Sequence, residues 1–326
     1  MHVGWITIGN DTFGSTRIGV TNIHKGLVKN GYKSTVLSYN KNFSIDIEAD
    51  IEDLKKRIVS ENITVVVFHK VFSPRTIELV RFCKRIKVKT IFANGDWNEN
   101  PMHDEVDHVI SGSPYTRDVI SEKYGVKNSH YIDDALETSN YPMKENVNSS
   151  NDISLGWFGN FTKLEYTQKF IASLNLSNYN LKTVSNAPCA YTDIKADYTM
   201  GAATGKNWDT NFLIRFLLNN VDIIVIPLDL EEGELIQHYA KTANRITFAM
   251  SLGIPVVATP IPTYEMIIEH GVNGFLPRTP QEWKDSLLHL RNSFQRSSIG
   301  KKSSFDIRRN YHVDSIIEDW IKIFKA

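Results

Sequence analysis

Short apolar runs alternate with helix-length amphipathic segments along most of the chain. In the first half, helical patterns lie near residues 16–30, 47–61, 74–86 and 114–124, between the apolar runs HVGWITIG, KSTVLS, TVVVFHK, KTIFANGD, HVISGS and SHYID. Near-continuous apolar strands separated by helices are typical of parallel sheets that carry helices on both faces. The pattern therefore predicts an α/β fold of doubly wound βαβ units.

The alternation stops at residues 137–152, ETSNYPMKENVNSSND, which are polar, rich in Asn and Ser, and aperiodic. Such a composition indicates a linker. The alternation then restarts, with helical patterns over 162–175, 208–220 and 240–252 between the apolar runs ISLGWFGN, LKTVSN, DIIVIPL and PVVATP.

This break predicts two domains of similar size. The first, Rossmann-like, is expected over residues 1–140. The second, also Rossmann-like, is expected over 152–305. Residues 306–326 end in the amphipathic run VDSIIEDWIKIF, a terminal helix that we expect to pack back toward the first domain.

Composition narrows the class of protein. The 326 residues contain 37 Lys and Arg and 37 Asp and Glu, so the net charge is zero, which argues against a generic polyanion binder. No apolar run approaches the roughly 18–20 residues that span a bilayer, and the N-terminus reads as a first strand and not a signal peptide. Two cysteines form neither a disulfide framework nor a metal site. We therefore expect a cytoplasmic protein without a metal.

Ligands of open α/β sheets bind beyond the carboxyl ends of the strands, often at helix N-termini. The first loop of this kind contains Gly14, Ser15 and Arg17 after the first strand. Its spacing is near that of a nucleotide phosphate loop, but Ser15 stands where a lysine belongs, and G-x-G-x-x-G does not fit either. Either a flexible glycine loop that enters a helix or a plain β–α turn remains.

The corresponding loop of the second domain, GWFGN, ends in Gly159 and Asn160. Glycine allows a ligand to approach the backbone closely, and exposed N–H groups there can meet a phosphate. A plain tight turn is the alternative reading.

The segment YAKTANRITFAMSLGIP is the most informative one. Its apolar residues recur at helical spacing, so Lys241 and Arg245 are expected in the opening turns of a helix, four residues apart on one face. The N-terminus of a helix already carries about half a positive charge. Two cations there are understandable if an anion such as a diphosphate completes the site. Pairing with Glu231, Glu232 or Glu234 is the alternative.

The segment PVVATPIPTYEMIIEHGVNGFLP follows as a strand, a turn, a short helix and a glycine turn. Tyr264 and Glu265 stand at the start of the short helix. They are expected at the same cleft as Lys241, although Glu265 also suits the first turn of a helix as a plain dipole-complementing acid.

Together, K-x-x-N-R-x-x-x-A-M-x-x-G-x-P-V-V-A-T-P-x-P-x-Y-E, G-V-N-G-F-L and Glu282-Trp283 resemble the C-terminal signature of GT-B glycosyltransferases, in particular the retaining family four (glycosyltransferase group 1) and its relatives. The resemblance implies two Rossmann-like domains that face a cleft, with a nucleotide-sugar donor held mainly by the second domain and no metal or other cofactor. It implies a phosphate-binding role for Lys241, flanked by Asn244 and Arg245.

By the same resemblance, Gly159 and Asn160 match a glycine turn near the donor, and Gly14 and Ser15 match a loop that closes over it. The sequence departs from the family at one point. Better-known members carry two glutamates eight residues apart that hold the sugar hydroxyls and the ribose, whereas this chain has Ala240 and Phe248. Glu265, or one of Glu231, Glu232 and Glu234, is the expected substitute.

Strand ends of the first domain supply candidates for the acceptor side: His69, Lys70 and Asp96, with Trp97 as a residue able to stack on a sugar or base. The structural alternatives are that Asp96 caps the following turn and that Trp97 fills the core. His103 and Asp104 lack metal-ligand spacing with any other group. Basic stretches over 70–89 and 291–309 fit a solvated helix face better than anionic lipid, a lipid-phosphate acceptor or nucleic acid.

The leading hypothesis is a hexosyltransferase that moves a sugar from a nucleoside diphosphate to the hydroxyl of a saccharide or lipid-linked saccharide, with retention. Lys241 and Arg245 would stabilise the leaving phosphate, and Asp96 or His69 would orient the acceptor. The alternatives are a non-catalytic nucleotide-sugar-binding module, a nucleotide-sugar epimerase and a transferase acting on modified nucleic acid. Peripheral association with a membrane surface is a further alternative.

Overall fold

The computed structural model describes residues 1–95, 100–136, 141–145, 148–150, 152–185, 197–199, 209–231 and 235–326. These residues contain two parallel sheets with helices packed on them, which confirms the predicted α/β fold. The chain divides into two compact units. Unit 1 contains residues 1–137, 239–243 and 311–326, and unit 2 contains residues 138–238 and 244–310.

The sheet of unit 1 has six parallel strands in the order β2-β1-β3-β4-β5-β6. Its strands are β1 (His2–Thr7), β2 (Lys33–Tyr39), β3 (Val65–His69), β4 (Lys89–Asn94), β5 (His108–Ser111) and β6 (Ser129–Tyr131). Its helices are α1 (Gly14–Thr16), a π-helical turn (Arg17–Thr21), α2 (Asn22–Lys29), α3 (Ile51–Ser60), α4 (Pro74–Arg85), α5 (Met102–Glu105), α6 (Pro114–Tyr124) and α14 (Val313–Lys325).

Local sequence signals explain the helix ends in unit 1. Ser73 caps α4 with a reciprocal capping box, and Pro74 occupies the first turn, where a missing N–H costs nothing. The helix α6 begins at Pro114 and ends at Tyr124, and the next residue, Gly125, has a φ of 64° that suits glycine. The segments predicted from apolar spacing near 74–86 and 114–124 are therefore confirmed to within a residue.

Apolar side chains cover both faces of the unit 1 sheet. One face packs against α3 and α4, and the other packs against α2 and α14. Trp5 of β1 contacts Trp320 of α14 at a ring-centroid distance of 5.5 Å. A Cβ on Gly26 of α2 would lie 2.0 Å from Ile317 Cδ1, so glycine is what allows α2 and α14 to pack this closely.

The sheet of unit 2 has five parallel strands in the order β11-β10-β7-β8-β9. Its strands are β7 (Ile153–Gly159), β8 (Tyr179–Ser185), β9 (Tyr198–Thr199), β10 (Ile223–Ile226) and β11 (Val256–Ala258). A 3₁₀ turn (Phe161–Lys163) is followed by α7 (Leu164–Ser173), α8 (Thr210–Asn220), α9 (Leu235–Tyr239), α10 (Asn244–Ser251), α11 (Pro262–Glu265), α12 (Pro280–His289) and α13 (Ser293–Asn310). Tyr239 at the end of α9 belongs to unit 1.

The long helix α13 packs closely on the end of α10. Gly253 follows α10 with a φ of 71°, as the predicted glycine stop requires. A Cβ on Gly300 of α13 would lie 2.1 Å from the Gly253 carbonyl oxygen. Glycine at position 300 therefore permits direct contact between backbones.

One buried and two half-buried cations, Arg296, Arg308 and Lys144, link the polar segment after residue 140 to the rest of unit 2. Arg308 donates from Nη2 to the Tyr141 carbonyl, Arg296 donates from Nη2 to the Asn148 carbonyl, and Lys144 Nζ donates to the Val221 carbonyl at 2.7 Å. Two of the basic residues in the 291–309 stretch, Arg296 and Arg308, are thus turned inward. The predicted solvated face applies only to the others.

Candidate active site

The strand order of unit 2 creates a topological switch point between β7 and β10. From β7 the chain continues through β8 to β9 on one side of β7, whereas β10 and β11 lie on its other side. Crevices beyond the carboxyl ends of strands at such a point are where open α/β sheets bind ligands. Gly159 is the last residue of β7 and therefore stands at this place.

Arg245 lies directly over Gly159. A Cβ built on Gly159 would be 3.2 Å from Arg245 Nη1 and 3.2 Å from the ring of Trp157. Any side chain at position 159 would therefore press on the guanidinium. Trp157 itself is buried in the core. The structure thus brings together two predicted site residues, Gly159 and Arg245, that are far apart in the sequence.

The electrostatic setting of Arg245 calls for an anion. It occupies the first turn of α10, which has no acidic residue, so the partial positive charge of the helix terminus adds to that of the guanidinium. Arg245 is half-buried, and within the described residues it has no hydrogen bond or ion pair. A partly desolvated cation without a counter-charge is costly, and a bound phosphate would remove that cost.

Asn160 and Asn244 flank this arrangement. Asn160 is exposed, and its Oδ1 accepts a hydrogen bond from Thr162 N at 3.1 Å, so it caps the 3₁₀ turn. Asn244 is the first residue of α10 and is half-buried. Both residues stand at the start of a helical turn, where backbone N–H groups lack intrahelical partners.

Lys241 does not occupy the helical position predicted for it. The helix α10 begins at Asn244 and not near residue 240, so the expected pairing of Lys241 and Arg245 on one helix face is wrong. The reason is tertiary packing of residues 239–243 in unit 1. The Tyr239 ring packs edge-to-face on Tyr115 at 5.4 Å, and a Cβ on Gly112 would lie 2.5 Å from Thr242 Cγ2.

The remaining candidates near α10 have packing roles in this structure. Tyr264 has no exposed surface, so its ring belongs to the core. Glu265 is exposed and forms an ion pair with Arg278. Phe248, at the second family glutamate position, packs its ring against Tyr141 and Phe158 at 5.3 and 5.7 Å.

Ala240, at the first family glutamate position, is buried. The Glu231 backbone N–H donates to Asp229 Oδ1 at 3.2 Å. Glu232 and Glu234 lie outside the described residues.

Unit 1 has its own switch point, between β1 and β3, where Thr7 pairs with His69. Thr7 Oγ1 lies 2.9 Å from His69 Nδ1. His69 is only 4% exposed, and its Nε2 would lie 3.0 Å from a Cβ on Gly19. The imidazole therefore packs beneath the π-helical turn. Sequence reasoning found His69 but missed Thr7 and Gly19, because only the sheet pairing brings them to it.

The loop after β1 ends at the same edge of the sheet. Gly14 and Ser15 begin α1 after Phe13, and no acid stands in this first turn. Arg17 opens the π-helical turn, and its Nη1 donates to the Thr12 carbonyl at 3.4 Å. The structure thus brings Gly14, Ser15 and Arg17 to the carboxyl edge that His69 also reaches.

Lys70 follows β3 in a left-handed conformation with a φ of 58°, which is uncommon for a residue other than glycine, asparagine or aspartate. Its Cε would lie 2.6 Å from a Cβ on Gly95, so the side chain crosses the end of β4. Asp96 and Trp97 lie outside the described residues. No group of three or more His, Cys, Asp or Glu side chains suited to a metal ion occurs in the described part of the chain.

The second unit contains a region that is similar to a known protein family. The model of the family described as "Glycosyl transferases group 1" matches residues 203–293, a range that contains Lys241, Asn244, Arg245, Tyr264 and Glu265. A comparison with curated protein sequences finds no match.

Three solved structures illustrate the similarity of fold. A glycosyltransferase from Rickettsia africae is 12% identical, with a TM-score of 0.67 over 99% of this chain and 98% of that one. Anabaena HepE in complex with UDP is 12% identical, with a TM-score of 0.70 over 100% of both chains. Sucrose-phosphate synthase from Thermosynechococcus elongatus is 11% identical, with a TM-score of 0.66 over 100% of this chain and 98% of that one.

These findings confirm the predicted resemblance to GT-B glycosyltransferases and the predicted fold class. The matched region resembles the group 1 glycosyltransferases, and the fold is that of GT-B glycosyltransferases. Identities of 10–14% carry the fold and nothing finer, so the roles of individual residues depend on the geometry described above.

Proposed function

We propose that this protein transfers a sugar from a nucleoside-diphosphate sugar to an acceptor hydroxyl. One observation carries the proposal: Arg245 lies over Gly159 at the switch point of unit 2, half-buried and without a hydrogen-bonding or ionic partner among the described residues. The structures of HepE in complex with UDP, and with UDP-glucose, support a nucleotide-sugar donor.

Arg245 acts on the leaving group. As the bond between the sugar and the diphosphate breaks, negative charge grows on the departing phosphate and positive charge grows on the sugar. A guanidinium fixed at a helix N-terminus stabilises the phosphate charge without reorganising. The absence of a side chain at Gly159 lets the Arg245 guanidinium lie close over the end of β7, where it can meet the diphosphate. Lys241, three residues before α10, is proposed as a second phosphate-binding cation, and Asn160 and Asn244 as neighbours of the donor.

The acceptor is proposed to be a saccharide or a lipid-linked saccharide that binds in unit 1. Arg17 and Lys70 stand at the carboxyl edge of that sheet and are the proposed acceptor-side residues. Gly14 and Ser15 at the same edge stay proposed as residues of the loop that binds the donor. His69 is interior, so it positions the π-helical turn through Gly19 and does not touch the acceptor. Asp96 and Trp97 remain proposals from the sequence, the first to orient the acceptor and the second to stack on it.

The reaction is proposed to proceed with retention and without a metal. The departing phosphate oxygen takes the proton of the acceptor hydroxyl on the face from which it leaves, so no separate base is required. Retention predicts that the product has the same anomeric configuration as the donor, which NMR spectroscopy reads directly. Metal independence predicts that activity survives EDTA.

Mass spectrometry of the full chain with a panel of nucleotide sugars, UDP-glucose first, tests the proposal. The expected result is release of the nucleoside diphosphate and a mass gain of one sugar on a saccharide acceptor. Conversion of the sugar without any acceptor, read by NMR spectroscopy because epimers have equal masses, would instead identify an epimerase. Binding without turnover on any acceptor would identify a binding module, and transfer only to nucleic acid would assign the third alternative.

A further inference from the structure

The helix α13 of unit 2 carries the two most exposed large hydrophobic side chains of the described residues. Phe294 is 75% exposed and Phe305 is 62% exposed. The opposite side of the helix is buried, through Ile299, Gly300 and Ile307 among others. The helix is therefore anchored in unit 2, and the two rings stand on its solvent side.

Cations share the stripe with these rings. At 3.6 residues per turn, Phe294, Lys301 and Phe305 fall within about 40° of one another around the helix axis, and the two rings are about 16 Å apart along it. The adjoining exposed positions hold Lys302 and Arg309. We call these five residues the α13 stripe.

The α13 stripe has a net positive charge. The one acid of α13, Asp306, is half-buried. It accepts a hydrogen bond from Asn273 Nδ2 at 3.1 Å and pairs with Lys302 at 2.5 Å. Lys301 has no ion pair among the described residues. A surface of this kind combines apolar rings with cations placed between and beside them.

We propose that the α13 stripe docks on an anionic lipid surface. Aromatic rings enter the boundary between headgroups and acyl chains, while Lys and Arg meet the anionic headgroups from the same helix face. A double-stranded nucleic acid, whose bases are already stacked, would engage the cations and leave both rings exposed. A symmetric contact with a second copy would place cation against cation, which opposes association.

The binding is expected to be reversible and sensitive to salt. Each cation near an anionic surface contributes roughly a 5-fold gain in affinity, and two rings bury modest apolar area. None of the described helices is long and apolar enough to cross a membrane. The proposed contact is therefore peripheral, and it is independent of whether the enzyme reaction proposed above is right.

Co-sedimentation of the full chain with vesicles tests the proposal. Vesicles of phosphatidylcholine with about one third phosphatidylglycerol should pellet the protein, and vesicles of pure phosphatidylcholine should pellet several-fold less of it. Salt at 0.5 M should release the protein, because it shortens the Debye length to roughly 4 Å. The double variant Phe294→Ser with Phe305→Ser should bind at least ~5-fold more weakly. Val59→Ser, which alters a 58% exposed side chain on α3 of unit 1, is the matched control and should bind like the wild type.

Several results would overturn the proposal. They are equal binding by the double variant and the wild type, equal binding to both kinds of vesicle, and a loss of self-association in the double variant, which would assign the stripe to a second copy. Salt-dependent binding to duplex DNA that persists in the double variant, without vesicle binding, would assign the cations to nucleic acid. Thermal melting and UDP titration of each variant show that the fold and the proposed donor site are intact.

Discussion

Two arginines of unit 2, Arg245 and Arg296, have the same side chain in opposite situations. Arg296 is 2% exposed, and its guanidinium donates to the carbonyls of Leu290 and Arg291 at 2.7 Å each, and to that of Asn148. Arg245 is half-buried, its Nη1 would lie 3.2 Å from a Cβ on Gly159, and it has no hydrogen-bonding or ionic partner in the described part of the chain.

The difference separates a structural cation from a candidate ligand-binding one. The three carbonyls around Arg296 leave little room for an incoming anion, and the one of Asn148 joins α13 to the polar segment near residue 148. The guanidinium of Arg245 retains its donors and is accessible. Burial of charge is tolerated where backbone dipoles satisfy it, and a half-buried cation without a protein partner at the carboxyl edge of a sheet marks a candidate anion site.

The largest expected effect is on stability, in Arg296→Ala. Removal of the guanidinium leaves three carbonyls with no donor and opens a void between α13 and residue 148. We expect the free energy of unfolding to fall by about 3–5 kcal/mol, measured by urea denaturation. Arg245→Ala is the paired control, and its free energy of unfolding should differ from that of the wild type by no more than about 0.5 kcal/mol. A smaller loss in Arg296→Ala than in Arg245→Ala would reverse the comparison.

A second prediction concerns a buried group of unit 1 whose unpartnered atom is inaccessible. His103 is 1% exposed, its Nδ1 has no hydrogen-bond partner in the described structure, and burial lowers its pKa to about 4. As the pH falls, His103 takes up a proton near pH 6.5 in the unfolded chain, before it does so in the folded chain. The contribution of neutral His103 to the free energy of unfolding is therefore complete above pH 6.5. It is lost as the pH falls from about 6.5 to about 4, by roughly 2–3 kcal/mol.

Thermal melting of the wild type and of His103→Phe between pH 4 and 7 checks this. The variant should lose less stability in acid. Burial also raises the pKa of Asp133 to about 6, which opposes the histidine effect between about pH 4 and 6 in both proteins. Parallel curves for the two proteins would contradict the assignment to His103. The unpartnered atom of His103 is inaccessible to a ligand, whereas the guanidinium of Arg245 is accessible.

The smallest expected effect belongs to Gly159→Ala. The added methyl would lie 3.2 Å from Arg245 Nη1 and from the Trp157 ring, so the guanidinium must shift by a few tenths of an ångström. We expect KM for the donor to rise about 5-fold, near 1 kcal/mol, with kcat changed less. Steady-state kinetics with UDP-glucose measures this. An unchanged KM would separate Gly159 from the donor site.

Local patterns predicted most of the elements and failed where tertiary contacts decide. Apolar spacing placed the helices near 74–86 and 114–124 well. The same spacing extended α10 back to about residue 240, because nothing in it reveals that Tyr239 packs on Tyr115. The proximity of Gly159 to Arg245 depends on the order of strands in a parallel sheet, which no short motif encodes.

In the basic stretch over residues 291–309, the helical spacing of the sequence separates buried cations from exposed ones, and composition does not. Arg296 shares a helical spacing with the buried Gly300, Ser303 and Ile307, so the period of the helix places it inside, whereas Lys301 and Lys302 fall on the solvent side. Composition alone treats all of these residues as one charged surface. Position around the helix separates a structural arginine from a basic face.

The most direct test of the central claim is the affinity of UDP for the wild type and for Arg245→Ala, measured by isothermal titration calorimetry beside a thermal melt of each protein. If Arg245 holds the donor diphosphate, the variant should bind UDP at least ~10-fold more weakly, since charge-assisted hydrogen bonds contribute about 1.5–3 kcal/mol, and its melting temperature should be unchanged. Equal affinity in two equally stable proteins would contradict the account.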